Sequence, residues 1–381
     1  MSIPFNKPFV VGKELYNVAQ AVLTNKQLSS GGEFTFQCHE WLQNTLGSKK
    51  ALLTHSCTSA LEMAAILCNI QPGDEIIMPS FTFVSTANAF VLQGGIPVFI
   101  DIRPDTLNIN ETLIESAITE KTKAIVPVHY AGFPCEIDRI MRIATQYNIF
   151  VIEDAAQALL SEYKGKKLGT IGHLGALSFH ETKNIISGEG GALLINDEQF
   201  LNRAEIVWEK GTDRRKFQRG EVDKYTWLDI GSSYSPSETI AGFLCAQFEH
   251  ADMIIEKRRR LCALYYTLLE PLKKNECISL PAIGKDKSKN NGHIFYIITA
   301  SAPERTRLIK FLNKCGITTL FHYIPLHSSP AGRRYGRTVG SMDITNDISR
   351  RVLRLPLYFE MTEQHVQHVA HAIYDFFREN A

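Results

Sequence analysis

Three observations predict an α/β fold built on a largely parallel sheet. Between about residues 50 and 200, apolar runs of strand length alternate with helical stretches, the pattern of βαβ units. Each apolar run ends in a polar or ionisable residue, and open α/β sheets bind ligands at the carboxyl ends of their strands. After about residue 250 the alternation gives way to a long helix and a mixed remainder. The expected organisation is a large domain over 1–250 and a smaller α+β domain over 251–381, with a cleft between them.

Ala51-Leu52-Leu53-Thr54 is the first strand, and it leads into a helix that begins near Thr58 and carries Leu61, Met63, Ala64, Ala65 and Leu67. Pro72-Gly73-Asp74 turns the chain into a strand over Glu75–Met78. Pro97–Asp101, Ala124–Val128 and Phe150–Glu153 are further strands. Beyond 250, a helix carries the charged run Glu256-Lys257-Arg258-Arg259-Arg260, read as a solvated face or a dimer contact. Gly284–Gly292 reads as a polar surface loop; strands are expected near 294–300 and 317–324, and helices near 303–314 and 362–378.

The 381 residues are 44% hydrophobic and 21% charged, which excludes disordered, collagen-like and coiled-coil classes. Lys plus Arg number 41 against 40 Asp plus Glu, so no global field recruits nucleic acid or an anionic membrane. Any anionic ligand needs a local site. The apolar runs fall short of the roughly 20 residues of a membrane helix, and Met1–Pro8 shows no basic-then-apolar leader, which points to the cytosol. Eight scattered cysteines indicate neither a disulfide framework nor a zinc site, and read as reduced thiols. His365, His368 and His371 flank the face formed by Val366, Val369, Ala370, Ile373 and Phe377, so they read as a solvated edge and no metal site is expected.

The most informative segments are Phe150–Gln157 and Leu177–Asn184. One strand delivers Asp154 at its end and another delivers Lys183 just beyond its end, which places an anion and an amine in one crevice. That pairing suits pyridoxal phosphate, whose aldehyde forms a Schiff base with a lysine and whose ring nitrogen is kept protonated by a carboxylate. Singly, each residue also reads as an ordinary surface group. Thr54–Leu61 is a strand-to-helix junction rich in hydroxyls and free N–H groups, suited to phosphate or simply to N-capping by Ser56 or Thr58. Pro79-Ser80-Phe81-Thr82-Phe83 supplies an aromatic for ring stacking or for the core.

Taken in order, Ser56–Leu61, Pro79–Phe83, Glu153–Gln157, Ser178–Asn184 with Gly188-Glu189-Gly190-Gly191, and His322–His327 resemble the DegT/StrS family of nucleotide-sugar aminotransferases, over essentially the whole chain. More narrowly, Gln71–Glu75, Phe81–Phe90, Phe179–Asn184 and Asp223–Trp227 resemble the dTDP-4-keto-6-deoxyglucose 4-transaminases. The resemblance implies a type I aminotransferase fold and a homodimer with shared active sites. By position, Lys183 would hold pyridoxal 5'-phosphate and shuttle a proton. Asp154 would pair with the ring nitrogen, Gln157 would lie beside the ring and Phe83 would stack on it, and Ser178, Cys57, Thr58 and Ser59 would bind the phosphate. His322 and His327 would face the sugar. A departure falls at Tyr234-Ser235-Pro236-Ser237-Glu238, where many members carry asparagine or arginine.

The implied substrates are L-glutamate and a dTDP-keto-sugar aminated at C4. Attack at C3, the gluco epimer, or a non-catalytic sensor of the same fold are the other readings. Lys210–Gly220 and Lys224 form a basic loop in which Arg219 or Lys224 would meet the diphosphate, unless the loop is merely solvated.

Overall fold

The computed structural model describes residues 2–282 and 288–379. Its strands, in chain order, are β1 (Lys50–Thr54), β2 (Glu75–Pro79), β3 (Ile96–Ile100), β4 (Thr122–Ile125), β5 (Phe150–Asp154), β6 (Glu162–Tyr163), β7 (Lys166–Lys167), β8 (Leu174–Ser178), β9 (Gly191–Ile195), β10 (Ile278–Ser279), β11 (Phe295–Thr299), β12 (Arg337–Thr338) and β13 (Val352–Leu355). Eight form one sheet in the order β1-β9-β8-β5-β4-β2-β3-β12. Neighbours from β8 through β12 are parallel, while β9 runs antiparallel to both β1 and β8. The connection from β8 to β9 contains no helix, and β9 returns antiparallel to β8.

Successive residues of each central strand enter cores on opposite faces of this sheet. Leu53, Ile77, Val151, Leu177 and Leu194 pack on one side; Leu52, Ile76, Ile152, Ala176 and Leu193 pack on the other. Burial on both faces explains why these strands read as unbroken apolar runs, and each fully buried aliphatic side chain contributes roughly 1.5–3 kcal/mol.

β10, β11 and β13 form a separate antiparallel sheet. It packs with helices Ala251–Lys274, Ala302–Lys314 and Glu363–Glu379 around Tyr265, Leu312, Val369 and Ile373, and takes in Ile3 from the N-terminus. The stretch around 337–345 is nevertheless stitched to the large sheet. β12 pairs with β3, the Arg337 guanidinium donates to both Glu75 oxygens at 2.7 Å, and Asp101 accepts the Ile344 and Thr345 N–H groups at 3.0 and 2.8 Å.

Four expectations are corrected. The region 317–324 is not a strand: it makes bridges only at Ile317 and Leu320, because Leu320–Ile324 turn out to line a cavity. Arg258 is not on a solvated face; it is 4% exposed and donates to the carbonyls of Gly292 and His293 at 2.9 and 2.8 Å. Of the loop expected at the surface, 284–287 lie outside the described residues, but Asn291 is buried and donates to the carbonyls of Gln157 and Leu159. In the last helix Phe376 is buried and Phe377 only partly so.

Candidate active site

The parallel strand ends meet the 320–327 segment and β13 around a cavity of about 950 Å³. Asp154 closes β5 and is 5% exposed. Its Oδ2 accepts from the Thr86 hydroxyl at 2.7 Å and its Oδ1 from the Ala156 N–H at 3.1 Å. Behind it, Glu153 is fully buried and accepts N–H bonds from Gly169, Ile171 and Gly172 at 2.9, 2.7 and 2.6 Å. The Cys135 N–H donates to His129 Nδ1, so His129 Nε2 carries the proton and donates to Glu153 at 2.8 Å. Burial alone would raise the Glu153 carboxyl, yet His129 and these amides hold it below the usual range. For Asp154 burial prevails, and its carboxyl is raised despite Thr86, the Ala156 amide and Lys183.

Lys183 follows β8 in a tight turn, its N–H bonded to the His180 carbonyl at 2.9 Å and the Glu181 N–H to Gly188 at 2.8 Å. Its half-buried side chain lines the cavity. Burial pushes the amine below the usual lysine value, against the pull of Cys57 and Asp154. Ser178 and Gly190 line the same wall.

Helix Cys57–Leu67 opens onto the cavity. Ser56 caps it by accepting the Ser59 N–H at 3.1 Å. The Cys57 and Thr58 N–H groups find no acceptor among the described residues. Gly191 pairs opposite Thr54, and a Cβ there would overlap the Cys57 amide nitrogen, so only glycine lets β9 approach this helix start. An unpaired amine, a buried carboxylate and a helix start with free N–H groups therefore share one cleft, a set that fits pyridoxal phosphate.

Of the residues singled out in the sequence, Cys57, Thr58, Phe83, Asp154, Gln157, Ser178, Lys183 and His322 line this cavity. Phe83 is 58% exposed. Gln157 accepts the Ala131 N–H at 2.7 Å and donates to Tyr323 Oη at 2.9 Å. His322 is buried, bonded to Tyr130 Oη at 2.7 Å and stacked on Tyr323; burial first, then Arg354 and Lys183, keep its pKa well below the ordinary value.

Four others lie outside the lining. The Ser59 hydroxyl turns to Ser56, and His327 Nδ1 is bonded to Ser80 Oγ at 2.7 Å. Arg219 lines a different hollow beside Arg215 and is engaged by Glu205 and Glu221. Lys224 is exposed. At the departure noted above, Glu238 is buried and accepts the Gly32, Phe34 and Thr35 N–H groups at 3.0, 2.9 and 3.1 Å. The carboxylate thus caps helix Glu33–Leu46.

Thr86, Tyr323 and Arg354 also line the cavity and were missed in the sequence. Thr86 and Tyr323 lie inside the Phe81–Phe90 and His322–His327 stretches but were not singled out there. Arg354 had one available signal, a charge inside the apolar strand Val352-Leu353-Arg354-Leu355.

Among the described residues no group of three or more His, Cys, Asp or Glu could hold a metal ion, and no helix is long and apolar enough to cross a membrane.

Comparisons with known proteins match these features. The model of the DegT/DnrJ/EryC1/StrS aminotransferase family covers residues 10–374. An uncharacterized protein of Methanocaldococcus jannaschii is 36% identical, over 99% of this chain and 98% of its own. GDP-perosamine synthase of Escherichia coli O157:H7 is 32% identical over 99% of both chains. Among solved structures, DesV of S. venezuelae, in complex with a ketimine intermediate, superposes with a TM-score of 0.89 at 27% identity over 98% of both chains. The chain has the type I aminotransferase fold, belongs to the DegT/DnrJ/EryC1/StrS family and is a pyridoxal-phosphate-dependent sugar aminotransferase.

Proposed function

We propose that the chain transfers the amino group of L-glutamate to C4 of dTDP-4-keto-6-deoxy-D-glucose, giving dTDP-4-amino-4,6-dideoxy-D-galactose and 2-oxoglutarate for a surface polysaccharide. The observation that carries the reaction type is the convergence of Lys183, Asp154 and the free N–H groups of the Cys57 helix on one cavity. The choice of acceptor is supported by the Gln71–Glu75, Phe81–Phe90 and Asp223–Trp227 stretches, and a nucleotide-sugar acceptor by the name of the E. coli relative.

Lys183 would hold the cofactor aldehyde, Asp154 the ring nitrogen, and the Cys57–Thr58 N–H groups with Ser178 the phosphate, with Phe83 and Gln157 bordering the ring. Bound there, the cofactor supplies an electrophilic carbon for amine exchange and an electron-withdrawing ring. Lys183, whose amine burial favours in the neutral form, takes the proton from the donor Cα and later returns one to C4 of the sugar. Asp154, with Thr86 fixing one oxygen, holds a proton on the ring nitrogen. His322, kept neutral by burial, would face the sugar.

The position of Arg219 and Lys224 outside this cavity fits a homodimer in which their segment serves the neighbouring cleft. Exposed Trp227 (78%), Ile230 (54%), Leu15 (76%) and Leu23 (72%) support such a partner. Light scattering at the mass of a single chain would contradict it. In this reading the division at residue 250 separates the cofactor domain from the part that closes over the sugar.

The reaction type is tested by spectroscopy. The purified protein is expected to absorb at about 410–430 nm and to shift toward about 330 nm on adding glutamate. A colourless protein, or Lys183→Ala with the long-wavelength band intact, would contradict the reading.

A further inference from the structure

We infer that His293 is a positioning residue for Lys183: its Nε2 accepts a hydrogen bond from the Lys183 amine once that amine is free, and so aims the amine's lone pair. The inference rests on the aminotransferase reading and adds to it a second group that governs the proton step.

His293 precedes β11 and is 8% exposed, and its ring lines the cofactor cavity. The proposed reaction leaves it without a role. Three side chains fix it from behind. Arg258 donates to its carbonyl at 2.8 Å, Asn291 Oδ1 accepts its N–H at 3.1 Å, and Asn184 Oδ1 lies 3.0 Å from its Nδ1. Gly292 before it has a φ of +64°, and a Cβ there would lie 2.9 Å from the Arg258 carbonyl carbon, so only glycine lets this segment lie against the helix.

Asn184 decides which ring nitrogen holds the hydrogen. Its Nδ2 donates to the Asn291 carbonyl at 3.0 Å, which leaves its Oδ1, an acceptor only, against His293 Nδ1. Turning the amide over would set its oxygen against the Asn291 carbonyl, two acceptors face to face. Nδ1 therefore carries the hydrogen and donates it. Burial first, and then the charges of Lys183, Arg258, Arg354 and His322, keep the ring well below its ordinary pKa and hence neutral. A neutral ring with its hydrogen on Nδ1 has a lone pair on Nε2. Nε2 has no hydrogen-bond partner among the described residues.

The free nitrogen is an acceptor among donors, because Lys183, Arg258 and Arg354 line the same cavity. Arg258 is spent on backbone carbonyls. Two observations single out Lys183. Of the charged groups it acts most strongly on the ring, and it adjoins Asn184, so the turn that carries the amine also sets the tautomer. A primary amine has two N–H bonds and one lone pair, and an acceptor that takes one N–H limits where the lone pair points. After the amine has taken the donor Cα proton, the same Nε2 accepts from the ammonium, a charge-assisted bond. His293 itself gains and loses no proton.

The test uses the holoenzyme in single-turnover half-reactions. His293→Leu should keep the cofactor band and hold both KM values within about threefold. It should lower the rate constant of each half-reaction about 10–100-fold, the worth of one hydrogen bond to a charged group. The isotope effect with α-deuterated glutamate should rise, because a misdirected amine slows the proton transfer alone. His293→Gln, whose amide oxygen can stand in for the Nε2 acceptor, should recover most of the loss, which repair of a general packing defect would not explain. A readout independent of turnover is the nitrogen-15 spectrum of histidine-labelled protein. The ring signals missing from His293→Gln should show Nδ1 protonated and Nε2 bare.

Wild-type rate constants in His293→Leu, a loss confined to KM, or slowed half-reactions with an unchanged isotope effect would overturn the assignment. If His293→Leu loses the cofactor, the wild-type spectrum decides: hydrogen on Nε2 overturns it. A holoenzyme that glutamate does not bleach would instead defeat the aminotransferase reading, and this role with it.

Discussion

The strand-end wall of the cleft and the 210–230 segment are built on opposite principles. At the wall, both carboxylates are immobilised: Asp154 by Thr86 and the Ala156 amide, and Glu153 by His129 and three further amides. In the 210–230 segment, Phe217, Tyr225, Trp227 and Ile230 stand exposed, and Arg219 pairs with carboxylates at the surface. The first arrangement preorganises a chemistry common to many substrates. The second leaves its apolar side chains at the surface, where in the proposed homodimer a partner would cover them.

The largest contrast is expected from Lys183→Ala, which should lower turnover by at least about 10³-fold while leaving the urea midpoint close to that of wild type. A variant with more than a tenth of wild-type turnover would show that the wall is not the reacting centre. Next comes Glu153→Gln, which leaves His129 and three amides facing a poorer acceptor in a fully buried site. Chemical denaturation should show a loss of about 1.5–3 kcal/mol, and a loss below about 0.5 kcal/mol would mean that the wall is not rigidified as described. Alanine at both Arg219 and Lys224 should raise the KM for the sugar nucleotide about tenfold and leave the glutamate half-reaction unchanged. Failure of both half-reactions together would deny the separation of the two regions.

The smallest effect is a pH dependence of stability. Burial lowers the pKa of His39 from 6.5 to about 3 and places His293 and His322 well below 6.5. The unfolded chain takes up protons below 6.5 that the folded chain refuses, so stability should fall as pH drops below that value. The slope is up to about 1.4 kcal/mol per pH unit for each histidine. Thermal melts at fixed ionic strength check it, and His39→Gln should flatten the slope by up to one histidine's share. A midpoint unchanged from pH 7 to 5 would contradict the burial of these rings.

Much of the wall was legible in the sequence because strand periodicity and a terminal polar residue are local signals. Asp154, Ser178 and Lys183 each sit within five residues of an apolar run that announces its own end. The opposite wall was less legible, His322 being the side chain there that was singled out. Tyr323 meets Gln157 and Arg354 enters the same cavity only through long-range packing, the one local mark being the charge of Arg354 inside an apolar strand. Arg258 was misread for the same reason: its neighbours Arg259 and Arg260 advertise a solvated helix face, whereas the partners that bury it, the carbonyls of Gly292 and His293, lie in a stretch that looks like an exposed loop. His327 resembled a cleft residue by motif, yet its ring is taken by Ser80.

The activity proposed for this cleft is amination of a nucleotide-linked keto-sugar at C4. The most direct measurement is proton NMR of the product formed from dTDP-4-keto-6-deoxy-D-glucose and L-glutamate. The expected product is a single new amino sugar with nitrogen at C4 in the galacto configuration, accompanied by 2-oxoglutarate. An amine at C3, the gluco epimer, or an unchanged keto-sugar beside a catalytically competent cofactor would contradict it.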